Sequence, residues 1–236
     1  MKGIKGSYFL VFLLAGLFLS FPLYGAESFP VVVIDPAHGG DDLGVKLSDS
    51  RHEKDITLQI ALELQKELMT AGNIKVQLTR TADRDVSIAE RNKMVQATKA
   101  RMMLSIHVNA GFGPKAAGYE VYFPGFKAIP VDKKNGAAGI INDMTGNRHL
   151  NESVALAQDI LRKLQTVFPR KERGLREAPV PILEGLSLPA VAVEIGFATN
   201  LEDKKAISDE NIQKLVAKAL SKSILEFMRP SRTGKD

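Results

Sequence analysis

From about residue 30 onward, short apolar runs alternate with segments whose apolar positions recur at helical spacing, and few folds satisfy both patterns at once. VVVID (31–35), KVQLT (75–79), MMLSIHV (102–108), GYEVYF (118–123) and PAVAVEI (189–195) read as strands. Between them, Ile56, Ile60, Leu64 and Leu68 mark a helix over 53–71 that Gly72 stops. Ser87 with Glu90 forms a capping box opening a second helix to about residue 99. Val154, Leu156, Ala157, Ile160, Leu161 and Leu164 mark a third over 151–167, and 210–228 forms the last. This rhythm predicts one α/β domain over 30–229, with a central, mostly parallel mixed sheet and helices on both faces. At 44% hydrophobic and 25% charged residues, the chain can build one sizeable core.

Three of the apolar runs carry a titratable residue at or near their ends. His38 closes VVVIDPAH, His107 closes MMLSIH, and Glu194 is embedded in PAVAVEIGFATN. A carboxylate among Val191, Ala192, Val193 and Ile195 is expensive unless it is paired or chemically required. Ligands of open α/β sheets collect outside the carboxyl ends of the strands. Glu53, at the first turn of a helix after the loop 39–53, is carried over the same edge.

Two imidazoles and a carboxylate (His38, Glu53, His107) form the ligand set of a catalytic zinc site with water in the fourth position. Such a metal lowers the pKa of its water to about 7 and polarises a carbonyl. A further carboxylate that is not a ligand can take a proton from water and return it to a leaving amine, and Glu194 suits that role. Its apolar flanks raise its pKa, while a nearby dication lowers it. Together these residues point to hydrolysis of an amide or ester.

Each taken singly has an ordinary explanation. A histidine ending a strand is commonly a hydrogen-bonded core or surface residue, Glu53 could serve the helix dipole, and Glu194 could pair with an arginine. His52, beside Glu53, is expected to face solvent, and His149 is expected at the surface of a loop. The coincidence of all four residues at one sheet edge carries the reading.

Lys2 and Lys5 precede a charge-free apolar stretch from Gly6 to Ala26, the layout of a signal peptide over 1–26. Gly25-Ala26 offers small residues for cleavage. Tyr24 or Leu23 in the position that prefers a small one leaves an uncleaved N-terminal anchor as the alternative, and membrane association is expected only in that case. In both cases the body of the protein is exported, to the periplasm or cell wall. The chain has no cysteine, which excludes disulfides, Cys-based zinc sites and N-terminal Cys lipidation. Its net charge of +5, two units of it from Lys2 and Lys5, is too small and dispersed to indicate nucleic acid.

VVVIDPAHGGDDLG (31–44), EKDITLQIALEL (53–64), LTRTADRDVSIAERN (78–92), LSIHVNA (104–110) and VAVEIGFATN (191–200) together resemble the zinc-dependent N-acetylmuramoyl-L-alanine amidases of the amidase type 3 family. The resemblance runs from about Val31 to Phe227. It implies Zn2+ held by His38, Glu53 and His107, with Glu194 as the catalytic carboxylate. It also implies peptidoglycan as substrate, cut at the amide between the lactyl group of N-acetylmuramic acid and L-alanine, in wall remodelling or daughter-cell separation. The family commonly has Gly where this chain has Ala37 and Thr where it has Ile195; neither position is a ligand. Some relatives carry an inserted helix, with a Glu as an extra ligand, that blocks the zinc until an activator protein removes it. The corresponding insertion here, 124–150, has only Asp132 and Asp143 as acids. It is expected as a loop that gates access like a lid.

Asn109 is expected on the strand face of His107, orienting substrate or a ligand, or else in a turn. Arg80, Arg84 and Arg91 are candidates for contacting the peptide's carboxylates, with helix-surface ion pairs the alternative for the last two. Asn200 is expected to cap a helix starting at Leu201. Residues 230–236 read as a polar tail, and the protein is expected to act as a monomer. The alternatives to an amidase are a zinc carboxypeptidase or endopeptidase acting on the stem peptide, a non-catalytic wall-binding module, and a non-haem iron oxygenase, whose usual all-β setting conflicts with the alternating pattern.

Overall fold

The computed structural model describes residues 29–125 and 136–229, with backbone alone over 136–143. The segments 1–26 and 230–236, expected as leader or anchor and as tail, lie outside the described residues. Among the described residues, no helix is long and apolar enough to cross a membrane.

Six strands form one sheet: β1 (Val31–Pro36), β2 (Lys75–Leu78), β3 (Met102–Asn109), β4 (Tyr119–Phe123), β5 (Glu172–Glu177) and β6 (Ala190–Phe197). Their order is β2-β1-β3-β6-β4-β5. Every neighbouring pair is parallel except β4 with β6. This is the mostly parallel mixed sheet expected from the sequence. β5 was not expected: ERGLRE is an edge strand without the apolar alternation that announces one.

Alternation along the strands sorts residues to two unequal faces. Val32, Ile34, Leu104, Ile106, Tyr119, Val121, Val191 and Val193 face the larger core. It is closed by α1 (Glu53–Ala71), α3 (Gly136–Leu164) and α5 (Glu210–Met228). Ile56, Ile60, Leu64 and Leu68 form the buried stripe of α1 at the expected spacing. The opposite face holds a small cluster, Val33, Val95, Met103, Ile182, Leu183, Ala190 and Ala192. It is covered by α2 (Ile88–Ala97) and the 3-10 turn η1 (Pro181–Leu183). Asp35, Ser105, His107, Glu120 and Glu194 sit at the alternate positions, so all five point to this thinly covered side.

Two caps match the sequence. The Ser87 side chain accepts from Glu90 N, and Glu90 Oε2 accepts from Ser87 N at 2.8 Å. Asn200 caps α4 (Leu201–Ser208), accepting from the amides of Glu202 and Asp203. The third helix differs: α3 begins at Gly136, so much of the segment 124–150 is helical rather than loop. β4 runs antiparallel to β6, so the chain leaves Phe123 at the sheet edge opposite the carboxyl end of β6. α3 returns it to β5, and residues 126–135 of the expected lid lie outside the described residues.

Candidate active site

The turn after β1 places the first histidine. His38 has a left-handed φ of 62°, which a β-carbon resists, and two buried arginines hold it there. Arg80 donates to the carbonyls of Pro36 and Ala37 at 3.0 and 2.9 Å, and Arg91 donates to those of Pro36 and His38 at 2.8 Å each. Arg80 is 1% and Arg91 5% exposed, and their hydrogen bonds commit both to this turn rather than to a peptide carboxylate, the role expected from the sequence. Arg84 is exposed and donates to the Thr79 carbonyl at 3.2 Å. The N–H donors of a guanidinium are readily filled by the carbonyls and hydroxyls of a folded turn, as those of Arg80 are, and linear sequence gives no sign of it.

Glu53 enters on the first turn of α1 and is buried. Its Oε2 lies 3.1 Å from His38 Nε2, and its Oε1 lies 3.3 Å from His107 Nδ1. The same two oxygens accept from Val45 N at 3.0 Å and Val108 N at 2.9 Å, which fixes the carboxylate. Gly44, with φ 64°, passes so close that a β-carbon there would stand 2.6 Å from Glu53 Oε2 and 2.7 Å from His38 Cδ2. The outward ring nitrogens are also engaged. His38 Nδ1 meets Asp42 at 2.8 Å, and His107 Nε2 meets Ser105 Oγ at 3.1 Å. These outward contacts orient both rings, so that the inward nitrogens, which donate to Glu53 here, are the ones a metal would take in place of their protons.

His38, Glu53 and His107 each offer one ligand atom, all within 4.8 Å of one another, so the group could hold a metal ion. The donor set suits a borderline or hard dication. Without one, burial alone would lower the pKa of His38, but hydrogen bonds and charges from Glu53 and then Asp42 raise it to about 9. Burial likewise raises Glu53, and the two imidazoles outweigh it, taking the group to about 2. His107 is raised too, Glu53 and Glu194 overcoming burial. The site thus attracts positive charge strongly.

Glu194 stands opposite His107 in the register of β3 and β6. It is half-buried, but its Oε2 is shielded from solvent and has no hydrogen-bond partner. Burial, ahead of the neighbouring charges, pushes its pKa up to about 7. The alternative of a buried arginine partner does not hold; none pairs with it among the described residues. A cavity of about 500 Å³, lined by His38, His107, Asp42, Ser87, Arg91 and Ile182 among others, opens beside the group.

Other expectations are corrected. His52 is half-buried rather than solvent-facing, capping α1 with its amide donating to Asp55 at 2.8 Å. His149 is half-buried in α3, beside Pro189 at the opposite edge of the sheet, with Nδ1 buried and unpartnered. Asn109 does lie on β3, but its Nδ2 donates to Glu120 Oε1 at 2.9 Å. Glu120, 3% exposed, is opposite Glu194 on β4 and was missed in the sequence. The signal was there: a carboxylate inside GYEVYF is as anomalous as one inside PAVAVEI. Ser105 and Asp35 behind His107 were also missed.

The sequence profile of a family described as N-acetylmuramoyl-L-alanine amidase matches residues 32–226. The N-acetylmuramoyl-L-alanine amidase AmiA of Escherichia coli (strain K12) is 27% identical over 221 residues, 84% of this chain and 75% of that protein. The solved structure of the amidase AmiC2 of Nostoc punctiforme matches with a TM-score of 0.70 at 29% identity, over 86% of this chain and 99% of that one. The CwlD amidase from Clostridioides difficile, solved in complex with the GerS lipoprotein, shares the fold with a TM-score of 0.69 at 24% identity, over 84% and 98% of the two chains.

Proposed function

The chain belongs to the N-acetylmuramoyl-L-alanine amidase family, and from that premise we propose that His38, Glu53 and His107 hold a zinc ion and that Glu194 moves the proton during amide hydrolysis. The enzyme is a peptidoglycan amidase. One observation carries the assignment of residues: a two-imidazole, one-carboxylate set within 4.8 Å faces a carboxylate whose Oε2 has no other partner.

When bound, a zinc ion supplies a Lewis acid for the scissile carbonyl and favours ionisation of a water. The residues do the rest. Asp42 and Ser105 engage the outward ring nitrogens and fix both rings, so that the inward nitrogens would be the ones to ligate the ion in place of their protons. Glu194 Oε2 accepts the proton of the attacking water, and burial keeps that proton long enough to be delivered to the departing alanine nitrogen. The thinly covered face leaves room for a glycan-bound peptide to approach.

Export to the periplasm or cell wall, by a cleaved leader or an anchor, belongs to the same proposal, supported by the Lys2/Lys5 and Gly6–Ala26 pattern. An activating partner is part of it as well, supported by the complex of the related CwlD with a lipoprotein.

Digestion of purified sacculi by chelated and zinc-restored protein, read by mass spectrometry, tests the reaction. Intact stem peptides beginning with L-alanine should be released only after zinc is restored. Peptides shortened from the carboxyl end would indicate a carboxypeptidase instead. Metal analysis should give one zinc per chain, and a different metal in the active fraction would replace zinc in the proposal.

A further inference from the structure

Beyond Glu194, away from the metal-binding group, the sheet carries a second charged assembly. Glu120 is directly opposite Glu194 across β4 and β6, on the same face, so the row His107–Glu194–Glu120 crosses three strands. Glu120 is saturated. Its Oε1 accepts from Asn109 Nδ2 at 2.9 Å and from the Tyr122 hydroxyl at 2.8 Å. Its Oε2 accepts from Arg173 Nε at 3.0 Å and Arg176 Nε at 3.4 Å. A carboxylate with every acceptor position filled is not available to substrate; it organises what surrounds it.

What it organises is two guanidinium groups. Both arginines lie on β5 and remain accessible, with side chains 35% and 47% exposed. Each reaches Glu120 through Nε, and among the described residues neither has its Nη edge hydrogen-bonded. Arg173 is further fixed by stacking over the Phe197 ring at 4.8 Å. Two guanidiniums facing one carboxylate leave an unbalanced positive charge beside the proposed catalytic group. A pre-oriented Nη fork is the arrangement that binds a carboxylate in bidentate fashion.

We propose that Arg173 and Arg176, held by Glu120, form a subsite for a carboxylate of the stem peptide close to the scissile bond. The inference rests on the amidase reading above and adds to it the direction in which the peptide lies: across β4 towards β5, with the glycan on the other side. Adjacent strands are about 4.8 Å apart, so the arginines stand roughly 5–10 Å from Glu194, or one to three residues of extended peptide. A carboxylate on the residue that follows L-alanine would fall in that range. Arg80, Arg84 and Arg91 were the sequence candidates for this contact, and the structure instead offers two arginines from the one strand that the sequence did not reveal.

The test compares two synthetic muramyl peptides, identical except that the residue after L-alanine carries a free carboxylate or a carboxamide. The zinc-loaded wild type should favour the carboxylate. In Arg173→Ala/Arg176→Ala, KM for the carboxylate substrate should rise about 10- to 100-fold, as expected for loss of charged hydrogen bonds. Its kcat should change less, KM for the carboxamide should move by a much smaller factor, and an unchanged circular-dichroism spectrum shows that the variant is folded. Arg173→Lys/Arg176→Lys should retain part of the preference, because charge remains without the fork. A carboxylate preference that survives the alanine double variant would overturn the subsite. So would a wild type without preference, or an equal loss on both substrates, which would make the arginines mere supports of β5. If the wild type cleaves neither peptide, the amidase reading fails and the subsite with it.

Discussion

Asp35 and Glu194 are two carboxylates on the same face of the same sheet, and they are treated in opposite ways. Asp35, 2% exposed, receives Arg91 Nη1 at 2.6 Å, the Thr79 hydroxyl at 2.5 Å and the Ser105 hydroxyl at 2.7 Å. Glu194, two strands away, has an Oε2 that nothing meets. A buried charge with all its partners is scaffold: Asp35 anchors Arg91, which in turn holds the turn bearing His38. A shielded carboxylate left without partners is held away from its most stable state, and such groups gather where chemistry is done. The comparison teaches that enclosure alone does not separate structural acids from catalytic ones; satisfaction does.

The largest effect expected from this contrast is on turnover. Glu194→Gln should lower kcat by about 10²- to 10⁴-fold, the usual contribution of a positioned acid–base group. Metal content and melting temperature should be unchanged or slightly higher. Near-normal hydrolysis of sacculi by this variant would break the comparison at its catalytic end. At the other end, Arg91→Ala leaves Asp35 enclosed without its cation and should destabilise the fold by about 3–5 kcal/mol. Urea unfolding measures this, and a loss under 1 kcal/mol would show that Asp35 does not depend on its partner.

A third expectation follows from the sign of the Glu194 shift. Its pKa in the fold, about 7, lies above the ordinary carboxylate value. The folded, metal-free protein therefore holds a proton that the unfolded chain has released, and stability declines as pH rises from about 4.5 to 7. Glu194→Gln removes that decline. The difference in unfolding free energy between variant and wild type should grow in favour of the variant by at most about 1.4 kcal/mol per pH unit in this window. Urea titrations of both apo-proteins at pH 5, 6 and 7 measure it, and parallel pH profiles would contradict the shift.

Ser105 is where the two regions touch, donating to Asp35 and contacting His107 Nε2. Ser105→Ala should weaken zinc binding about 10-fold, in the range for groups that orient a metal-binding histidine. Competition with a chromogenic chelator reads this effect. It is the smallest of the four, because the His107 ring remains packed and Glu53 remains in place; an unchanged affinity would separate the scaffold acid from the metal group.

Much of this was legible in the residues. The strands from VVVID to PAVAVEI and the stripe of α1 follow from periodicity, because a strand covered on both sides must be apolar and a helix needs apolar residues at three- and four-residue spacing. His38, His107 and Glu194 stand out because polar groups at the ends of apolar strands are conspicuous, and Glu53 because the loop 39–53 carries the first turn of α1 over the same edge. Glu120 gives the same signal inside GYEVYF, but the residues that satisfy it lie elsewhere in the chain. β5 was invisible because an edge strand half open to water needs no apolar pattern, and α3 starts within a stretch whose glycines and asparagines suggest a loop.

Local sequence therefore determined which segments are strands and helices and which side chains are costly to enclose, since both depend on near-neighbour chemistry. Only the assembled sheet decided which costly groups are satisfied. Arg80 and Arg91 became clamps on a turn, Glu120 became the holder of two arginines, and Glu194 was left unpartnered. The reason is that hydrogen-bond satisfaction is set by groups tens of residues apart along the chain, brought together by strand order and register.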